Sequence, residues 1–415
     1  AHAARRRWPP MDDRSAYAAL RRKLDTLPVG YPKGKAGLRI LRRLFTPEEA
    51  GFALFMDWRF SDSPAIARAM AAAGRTVPAD LRGALGGMAS KGAILGRPGT
   101  DSWALQPFVV GMYELQVASL AREGVEDATS FLKEGFALEL LASGEHQTRV
   151  IPVGAAIRSE HRVASHEEFR ELIKAADGRI AVLPCVCRKG ADLSGHPCKA
   201  TDRRELCIVF RDYADTVVRE GWGRGIGVDE ALAIAAENER EGLVMRPSNE
   251  REPQFLCACC GDCCGLFAVV KAMRRPADFV SSNFRARVDP EACVSCGACA
   301  RRCPMDAVQL KGAKARAVPA FRARRSGAAA AKPKARVVPA RCVGCGVCVA
   351  ACAFGAVTLE RKSATVPPAD TAELLERLAA TRPGAVRKLW TGLRGILGIP
   401  VRDMGNRTPG PGGRS

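Results

Sequence analysis

Cysteine spacing near the C-terminal end constrains this chain more than any other feature. A four-cysteine pattern, C-x2-C-x2-C-x3-C, occurs twice within 60 residues. Its members are Cys293, Cys296, Cys299 and Cys303 in the first copy and Cys342, Cys345, Cys348 and Cys352 in the second. This is the bacterial-type spacing for [4Fe–4S] clusters, so two successive copies predict two such clusters.

The spacing suits a cubane because three cysteines on a tight loop can surround three of its corners. Gly297 and Gly346 lie inside these loops, where the backbone must bend close to sulfide. The fourth cysteine of each copy lies on the helix that follows, and in two-cluster ferredoxins it ligates the other cluster. The predicted ligand sets are Cys293, Cys296, Cys299 and Cys352 for one cluster and Cys342, Cys345, Cys348 and Cys303 for the other. Structural zinc is the alternative, although zinc sites seldom use this spacing twice.

Residues 284–362 resemble the dicluster bacterial ferredoxin family on these motifs. Two features depart from the family pattern. Ala353 replaces the proline that usually follows the last cysteine, and 38 residues separate Cys303 from Cys342. The excess, residues 311–341, is alanine-rich and holds ten Lys and Arg and no acid, which predicts a basic, disordered insertion.

The middle of the chain, residues 181–275, holds the other nine cysteines. They are Cys185, Cys187, Cys198, Cys207, Cys257, Cys259, Cys260, Cys263 and Cys264. We interpret them as candidate ligands of one or more additional Fe–S clusters. The alternatives are zinc, a redox dithiol and buried spare thiols. Arg188, Arg203 and Arg204 lie beside cysteines, where they either offset the charge of a thiolate-ligated cluster or are ordinary surface groups.

Residues 37–120 read as helix, helix, helix and hairpin, which is the element order of a winged helix. Thr46 followed by Pro47 is a helix start, and a Gly/Pro turn after Leu95 indicates the hairpin. Winged helices bind DNA or serve as interaction modules. The candidate recognition helix has Arg82 and Lys91 only at its ends, which is poor equipment for phosphate or base contacts.

The order of these segments resembles a family of bacterial 4Fe-4S dicluster-domain proteins described only as ferredoxin-like. The resemblance covers residues 38–382 and includes the Pro-Cys-x-Cys-Arg segment at residues 184–188. Members carry a further cysteine where Asp262 stands and a histidine where Met245 stands, so this chain departs from the family at both positions.

The predicted fold class is therefore α+β, with a winged-helix-like N-terminal domain, a cysteine-rich mixed middle domain and a C-terminal dicluster ferredoxin-type domain. A basic tail (1–36) precedes the first domain, and a helical connector (121–180) follows it. Residues 363–415 are predicted as a C-terminal helix and tail. Apolar and basic residues alternate over residues 386–397, which indicates a docking helix, a membrane-surface helix or a helix packed on its own domain.

Charge is concentrated in two segments. The net charge is +20, of which residues 1–45 contribute +9 and residues 311–341 contribute +10. Such segments indicate a redox partner with an acidic surface, or else simple solubility; nucleic acid is the less favoured partner. No transmembrane segment or secretory signal is visible, and seventeen cysteines clustered in metal-ligand spacings predict a reducing, cytoplasmic location.

These features predict an iron–sulfur electron-transfer protein that serves as a carrier or as a subunit of a redox complex. No phosphate-binding glycine loop, nucleophile–base set or flavin signature is readable, so electron transfer is preferred over substrate catalysis. The alternatives are a reductase that uses a middle-domain Fe–S centre and a redox-sensing winged-helix regulator.

Overall fold

The computed structural model describes residues 13–157, 164–310 and 334–401. Helices and strands both contribute, as the predicted α+β class requires. The first twelve residues of the predicted tail, residues 311–333 of the predicted insertion and the last fourteen residues lie outside the described part.

The N-terminal region is mainly helical. Its elements are α1 (Asp13–Leu24), α2 (Lys35–Leu44), α3 (Pro47–Ala53), α4 (Ser63–Ala72), α5 (Leu81–Ser90), β1 (Leu95–Gly96), β2 (Trp103–Ala104), α6 (Arg122–Phe131) and α7 (Ala137–Ala142). Helix α3 begins where the sequence indicates, because Thr46 accepts from the Glu49 N–H and Glu49 caps Thr46 in return. Strands β1 and β2 form the antiparallel hairpin that the Gly/Pro turn predicts.

One apolar core joins this whole region. Tyr31, Phe108, Phe131 and Phe136 pack as a buried aromatic cluster, with the Phe131 and Phe136 rings stacked 5.1 Å apart. Leu20 of α1 belongs to the same core, as do side chains of α2 and α5. The core therefore takes in residues of the predicted tail and connector as well as those between them. The predicted boundaries at residues 36 and 120 and the winged-helix assignment stay predictions.

The middle region is built on a five-stranded sheet. Its elements are α8 (Phe169–Lys174), β3 (Ile180–Pro184), α9 (Val186–Leu193), β4 (Glu205–Phe210), α10 (Arg211–Arg219), β5 (Arg224–Ile226), α11 (Val228–Arg240), β6 (Val244–Pro247), β7 (Phe255–Cys259) and α12 (Gly265–Ala272). The strand order is β5-β3-β4-β7-β6, and neighbouring strands are antiparallel.

Helices cover both faces of this sheet. Val182 and Ile208 lie on the face that packs with Ala231 and Ala235 of α11. Alternate residues such as Leu183 and Val209 face the other way, toward α10 and Trp222. Because side chains alternate along a strand, each strand contributes to two different cores.

The C-terminal region carries the two four-cysteine motifs between short strands. Its elements are β8 (Phe284–Val288), α13 (Ala298–Arg302), β9 (Val308–Leu310), β10 (Ala335–Val337), α14 (Val347–Ala350), β11 (Val357–Arg361), α15 (Thr371–Ala380) and α16 (Ala385–Leu397). Strand β8 pairs with β11, and β9 pairs with β10, all antiparallel. Each motif therefore lies between a strand of one pair and a strand of the other.

Helix α16 packs on the N-terminal region through α7. Thr391, Gly392 and Gly395 are buried in α16, and Gly392 lies directly against Leu138. The opposite side of the helix exposes apolar side chains, which are Val386, Leu389, Trp390, Leu393, Ile396 and Leu397. The helix is thus packed on its own chain by one side, while the other side presents an apolar face.

Candidate metal centres

The two ferredoxin-type motifs form similar loops. Gly297 and Gly346 both adopt left-handed backbone angles (φ 75°) and cap the helices α13 and α14. A Cβ at Gly346 would lie 2.5 Å from the Ala156 Cβ, so this loop also needs glycine because the chain packs closely there. The Val153 N–H donates to the Cys345 carbonyl at 3.0 Å and fixes the second loop to the middle region.

The fourth cysteine of each motif lies beside the other motif. One small cavity is lined by Cys293, Cys296 and Cys299 of the first motif together with Cys352 of the second. Cys303 lies close enough to Cys342, Cys345 and Cys348 that its charge adds to burial in raising the pKa of each of them. The structure therefore brings together the two groups of four that the sequence predicts.

Backbone N–H groups point at sulfur in both groups. The Ala335 N–H donates to Cys293 Sγ at 3.5 Å, Ala286 N–H to Cys342 Sγ at 3.3 Å and Ala307 N–H to Cys303 Sγ at 3.2 Å. The bond from Ala335 lowers the pKa of Cys293. Donors aimed at sulfur favour the thiolate, which is the form that ligates iron, so these residues fit a pair of iron–sulfur clusters.

The nine middle cysteines divide into two sets. Three of them form a close trio, Cys198, Cys260 and Cys263, whose sulfurs all lie within 4.8 Å of one another. Cys198 Sγ is 3.7 Å from Cys260 Sγ, and Cys260 Sγ is 3.3 Å from Cys263 Sγ. A tetrahedral ion with metal–sulfur bonds of about 2.3 Å separates its sulfurs by about 3.8 Å, so the trio has the spacing of three ligands to one ion.

The other six all line one internal cavity, and we term them the thiol ring. Each of them lies close enough to the next to shift its pKa, in the order Cys185, Cys187, Cys264, Cys259, Cys257, Cys207 and back to Cys185. The sheet positions three of the six ring cysteines. Cys257 and Cys259 are two residues apart on β7, so both point to the same face of the sheet. Cys207 of β4 pairs with Leu183 on that face. Cys185 and Cys187 enter from the start of α9, and Cys264 from the start of α12.

Two buried arginines flank these cysteines without an ion-pair partner among the described residues. Arg188 is 1 % exposed and Arg246 is 8 % exposed. Arg188 donates through Nη1 to the Ala258 carbonyl, while its Nε and Nη2 have no partner in the described part of the chain. Arg246 lies over the Phe267 ring, and its Nε and Nη1 are likewise unpartnered there.

The three arginines predicted from the sequence to lie near a cluster differ in their partners. Arg203 binds Glu241 and Asn238, and Arg204 binds Asp192, so both are already neutralised. Only Arg188 of the three is free of a carboxylate partner in the described chain and lies between the trio and the ring. Sequence reasoning missed Arg246, although its position opposite Cys257 in the sheet register places it on the ring's face.

An apolar cavity of about 270 Å³ adjoins the thiol ring. All six ring cysteines line it, together with Tyr113, Glu114 and Tyr213. Burial, together with the charges of Cys264 and Cys185, raises the pKa of Glu114 to about 7 against the opposing hydrogen bond from the Gly111 N–H. Burial likewise raises the pKa of both tyrosines. Sequence reasoning missed this acid because it lies more than 70 residues from the nearest cysteine.

The two candidate DNA-contacting residues, Lys91 and Arg82, differ in whether their charge is paired. Lys91 Nζ lies 2.5 Å from Glu49 Oε2, so its charge is already paired within the domain. Arg82 is exposed on α5. The described part of the candidate recognition helix therefore keeps one exposed cation for phosphate contact.

Comparison with known proteins bears on the C-terminal region. Residues 285–353 match the family model of the 4Fe-4S dicluster domain. No curated protein and no solved structure matches the chain. Among the described residues, no helix is both long and apolar enough to cross a bilayer. The match supports an iron–sulfur cofactor of the 4Fe-4S type in this chain and suggests a role in electron transfer.

Proposed function

We propose that this chain is an electron-transfer protein with two [4Fe–4S] clusters, acting as a carrier or as a subunit of a redox complex. The observation that carries the proposal is the crossed placement of the fourth cysteines within the segment that matches the dicluster domain. The ligands would be Cys293, Cys296, Cys299 and Cys352 for cluster 1 and Cys342, Cys345, Cys348 and Cys303 for cluster 2. When bound, the clusters supply one-electron outer-sphere transfer.

The two ligand groups differ in how far they are exposed to solvent. Cys296 is exposed, and the apolar neighbours Val294 and Phe354 are 47 % and 55 % exposed. An exposed apolar edge beside a ligand is a suitable contact for an external redox partner. Cys342, Cys345 and Cys348 are all buried, so cluster 2 faces the interior of the chain.

The inward side of cluster 2 leads to the middle-domain cysteines. Pro304 follows Cys303, and its backbone carbonyl carbon would lie 3.1 Å from a Cβ at Gly261. Gly261 follows Cys260 of the trio. Because electron transfer between centres falls steeply with distance, this contact supports passage from the external partner through cluster 1 and cluster 2 toward the middle-domain cysteines.

A reductase is the second candidate function, and the cavity beside the thiol ring favours it. A carrier needs no internal cavity, whereas a reductase needs space for a substrate next to a redox centre. Glu114, with its pKa near 7, lies at the cavity wall, where it could hold or release a proton at neutral pH.

Four serine variants test the crossed ligation. Cys352→Ser and Cys296→Ser should disturb the same EPR signal, because both remove a ligand of cluster 1. Cys303→Ser and Cys345→Ser should disturb the other signal. The measurement is EPR of the dithionite-reduced full chain, with iron and sulfide counts for each variant. If Cys352→Ser instead shared its defect with Cys345→Ser, each motif would hold its own cluster and the proposed arrangement would be wrong.

A further inference from the structure

The number of thiols in the ring exceeds what ordinary protein metal sites use. A structural zinc ion takes four protein ligands, and a cubane takes four cysteines. The ring offers six, and all six line the same cavity, so no four of them stand apart as a separate set.

The spacing within the ring also argues against a single ion. Across the described residues, the trio Cys198, Cys260 and Cys263 is the one group of three or more such side chains with all ligand atoms within 4.8 Å of one another. No three ring sulfurs are therefore mutually that close. Ligands of one tetrahedral ion would be about 3.8 Å apart in every pair. The ring sulfurs are instead far enough apart to surround a group of several atoms.

Two buried arginines indicate that this group is negatively charged. Arg188 and Arg246 are both buried, and neither has a carboxylate ion pair in the described part of the chain. Burying an unpaired guanidinium is costly unless an anion offsets it. The charges of Cys185, Cys260 and Cys263 bear on Arg188, and the charge of Arg246 bears on Cys259 and Cys264. An anionic metal–thiolate centre would supply the missing counter-charge.

Space is available next to the sulfurs. The cavity of about 270 Å³ is lined by all six ring cysteines and mostly by apolar side chains such as Val109, Leu132 and Phe255. This volume is several times the roughly 30 Å³ that one water molecule occupies in the liquid. It is sufficient for a compact group of several iron and sulfide atoms, and its apolar wall excludes solvent from such a group.

We propose that the thiol ring holds one polynuclear iron–sulfur centre that uses all six cysteines as ligands and is therefore larger than a four-cysteine cubane. Cys185, Cys187, Cys207, Cys257, Cys259 and Cys264 would each supply a thiolate to this centre. Arg188 and Arg246 compensate its negative charge. This centre is separate from the two clusters of the ferredoxin-type region and does not depend on them.

The first test is the composition of the full-length protein, reconstituted without oxygen with ⁵⁷Fe. Two cubanes account for eight irons, so the proposal requires iron and acid-labile sulfide clearly above eight per chain. Mössbauer spectra should contain a component beyond the two cubanes. Eight irons or fewer, or zinc in place of the additional iron, would overturn the proposal.

The second test counts the ligands. Each of the six ring cysteines is replaced singly by serine in the full chain, and each variant should change the additional Mössbauer component. Ser194→Ala is the control, because Ser194 lines the same cavity without contributing a thiol, and the variant should leave that component unchanged. If any ring variant retained the component unaltered, that cysteine would not be a ligand and the six-ligand proposal would be wrong; two such variants would indicate a four-cysteine cluster.

The EPR signals of the ferredoxin-type clusters serve as the folding check for every variant. If a variant keeps these EPR signals but loses the additional Mössbauer component, the loss reflects a missing ligand and not unfolding. If the wild-type protein lacks these EPR signals, that result contradicts the two-cluster proposal and not the proposal for the thiol ring. If a variant does not fold, the wild-type composition still decides whether the additional iron exists.

Discussion

At the scale of single residues, the cysteines differ in what surrounds their sulfur atoms. The ferredoxin-type cysteines Cys293, Cys303 and Cys342 receive backbone N–H donors, which are fixed by the strands and turns next to them. The trio and the ring instead have other thiols and the buried Arg188 as neighbours. Within the trio, the hydrogen bond with Cys263 lowers the pKa of Cys260. A thiol that ionises so readily is prepared to bind a metal ion.

His146 leads to a prediction about pH. Its imidazole is half-buried, and this burial, together with the charges of Arg246 and Lys362, lowers its pKa to about 4. The unfolded chain takes up a proton near pH 6.5, whereas the folded protein does not, so stability present above pH 6.5 is lost as the pH falls toward 4.

We therefore expect His146→Gln to weaken the acid sensitivity of folding. Between pH 7 and pH 5 the wild-type protein should lose on the order of 1–2 kcal/mol through this group, and the variant should not. The measurement is the urea midpoint of each protein at pH 7 and at pH 5. The value of each protein at pH 7 serves as its own reference. An equal loss in both proteins would mean that His146 does not carry the effect.

At the scale of structural elements, two cysteine-bearing turns meet. The turn between β7 and α12 carries Gly261, and the turn after α13 carries Pro304. A Cβ at Gly261 would overlap the Pro304 carbonyl, which is backbone and has little freedom to move. This contact joins the middle sheet to the ferredoxin-type region, next to Cys260 of the trio and Cys303 of the first motif.

We expect Gly261→Ala to destabilise this junction. Forcing a methyl group against backbone typically costs about 1–3 kcal/mol. The urea midpoint should fall, and intramolecular electron transfer out of cluster 2 should slow. Gly87→Ala is the matched control, because Gly87 lies in helix α5 with no atom within 4 Å of the added Cβ. There the substitution should be neutral or stabilise by roughly 0.5–1 kcal/mol, since alanine is the better helix former. Equal midpoints for both variants would show that the Gly261 contact is dispensable.

At the scale of the whole molecule, the charge distribution bears on partners. Some cations near the predicted insertion have structural roles: Lys334 Nζ donates to the Cys293 carbonyl at 2.7 Å, and Arg341 donates to the Met305, Met273 and Lys271 carbonyls. A test of electrostatic docking must therefore leave both residues in place. The cations from residue 314 to residue 332 are Lys314, Arg316, Arg322, Arg324, Arg325 and Lys332.

Replacing these six cations by glutamine should slow electron transfer from an acidic flavodoxin. The loss arises because surface attraction raises the association rate, and salt screens that attraction over about 10 Å at 0.1 M. The rate should also lose most of its ionic-strength dependence, while iron content and reduction potentials stay unchanged. Deletion of residues 314–332 is the companion variant that separates charge from length. An unchanged rate and an unchanged salt dependence would remove the basic segment from partner docking.

DNA binding distinguishes an electron carrier from a redox-sensing regulator. A regulator requires sequence-specific DNA binding at physiological salt that changes with cluster state and weakens when Arg82 and Lys91 are replaced. Non-specific binding does not favour either function, because a chain with a net charge of +20 binds polyanions through charge alone.

The sequence by itself determined the parts of this protein that depend on local spacing. Four cysteines within eleven residues, with glycine inside the loop, indicate ligands of an iron–sulfur cluster by their spacing alone. The segment that matches the dicluster domain includes both copies of this motif. The cap at Thr46, the hairpin after Leu95 and helix α11 follow local rules in the same way. Such features are short-range, so they can be predicted from the residues alone.

Only the tertiary structure decided how the nine middle cysteines are divided. Cys187 and Cys264 are neighbours in the thiol ring although 76 residues separate them, because antiparallel pairing of β3, β4, β7 and β6 brings the starts of α9 and α12 together. The same pairing places Arg246 on the face of Cys257, and packing of the N-terminal region brings Glu114 to the cavity. Sheet register and the packing of one region on another are long-range, cooperative properties, and local residue spacing does not encode them.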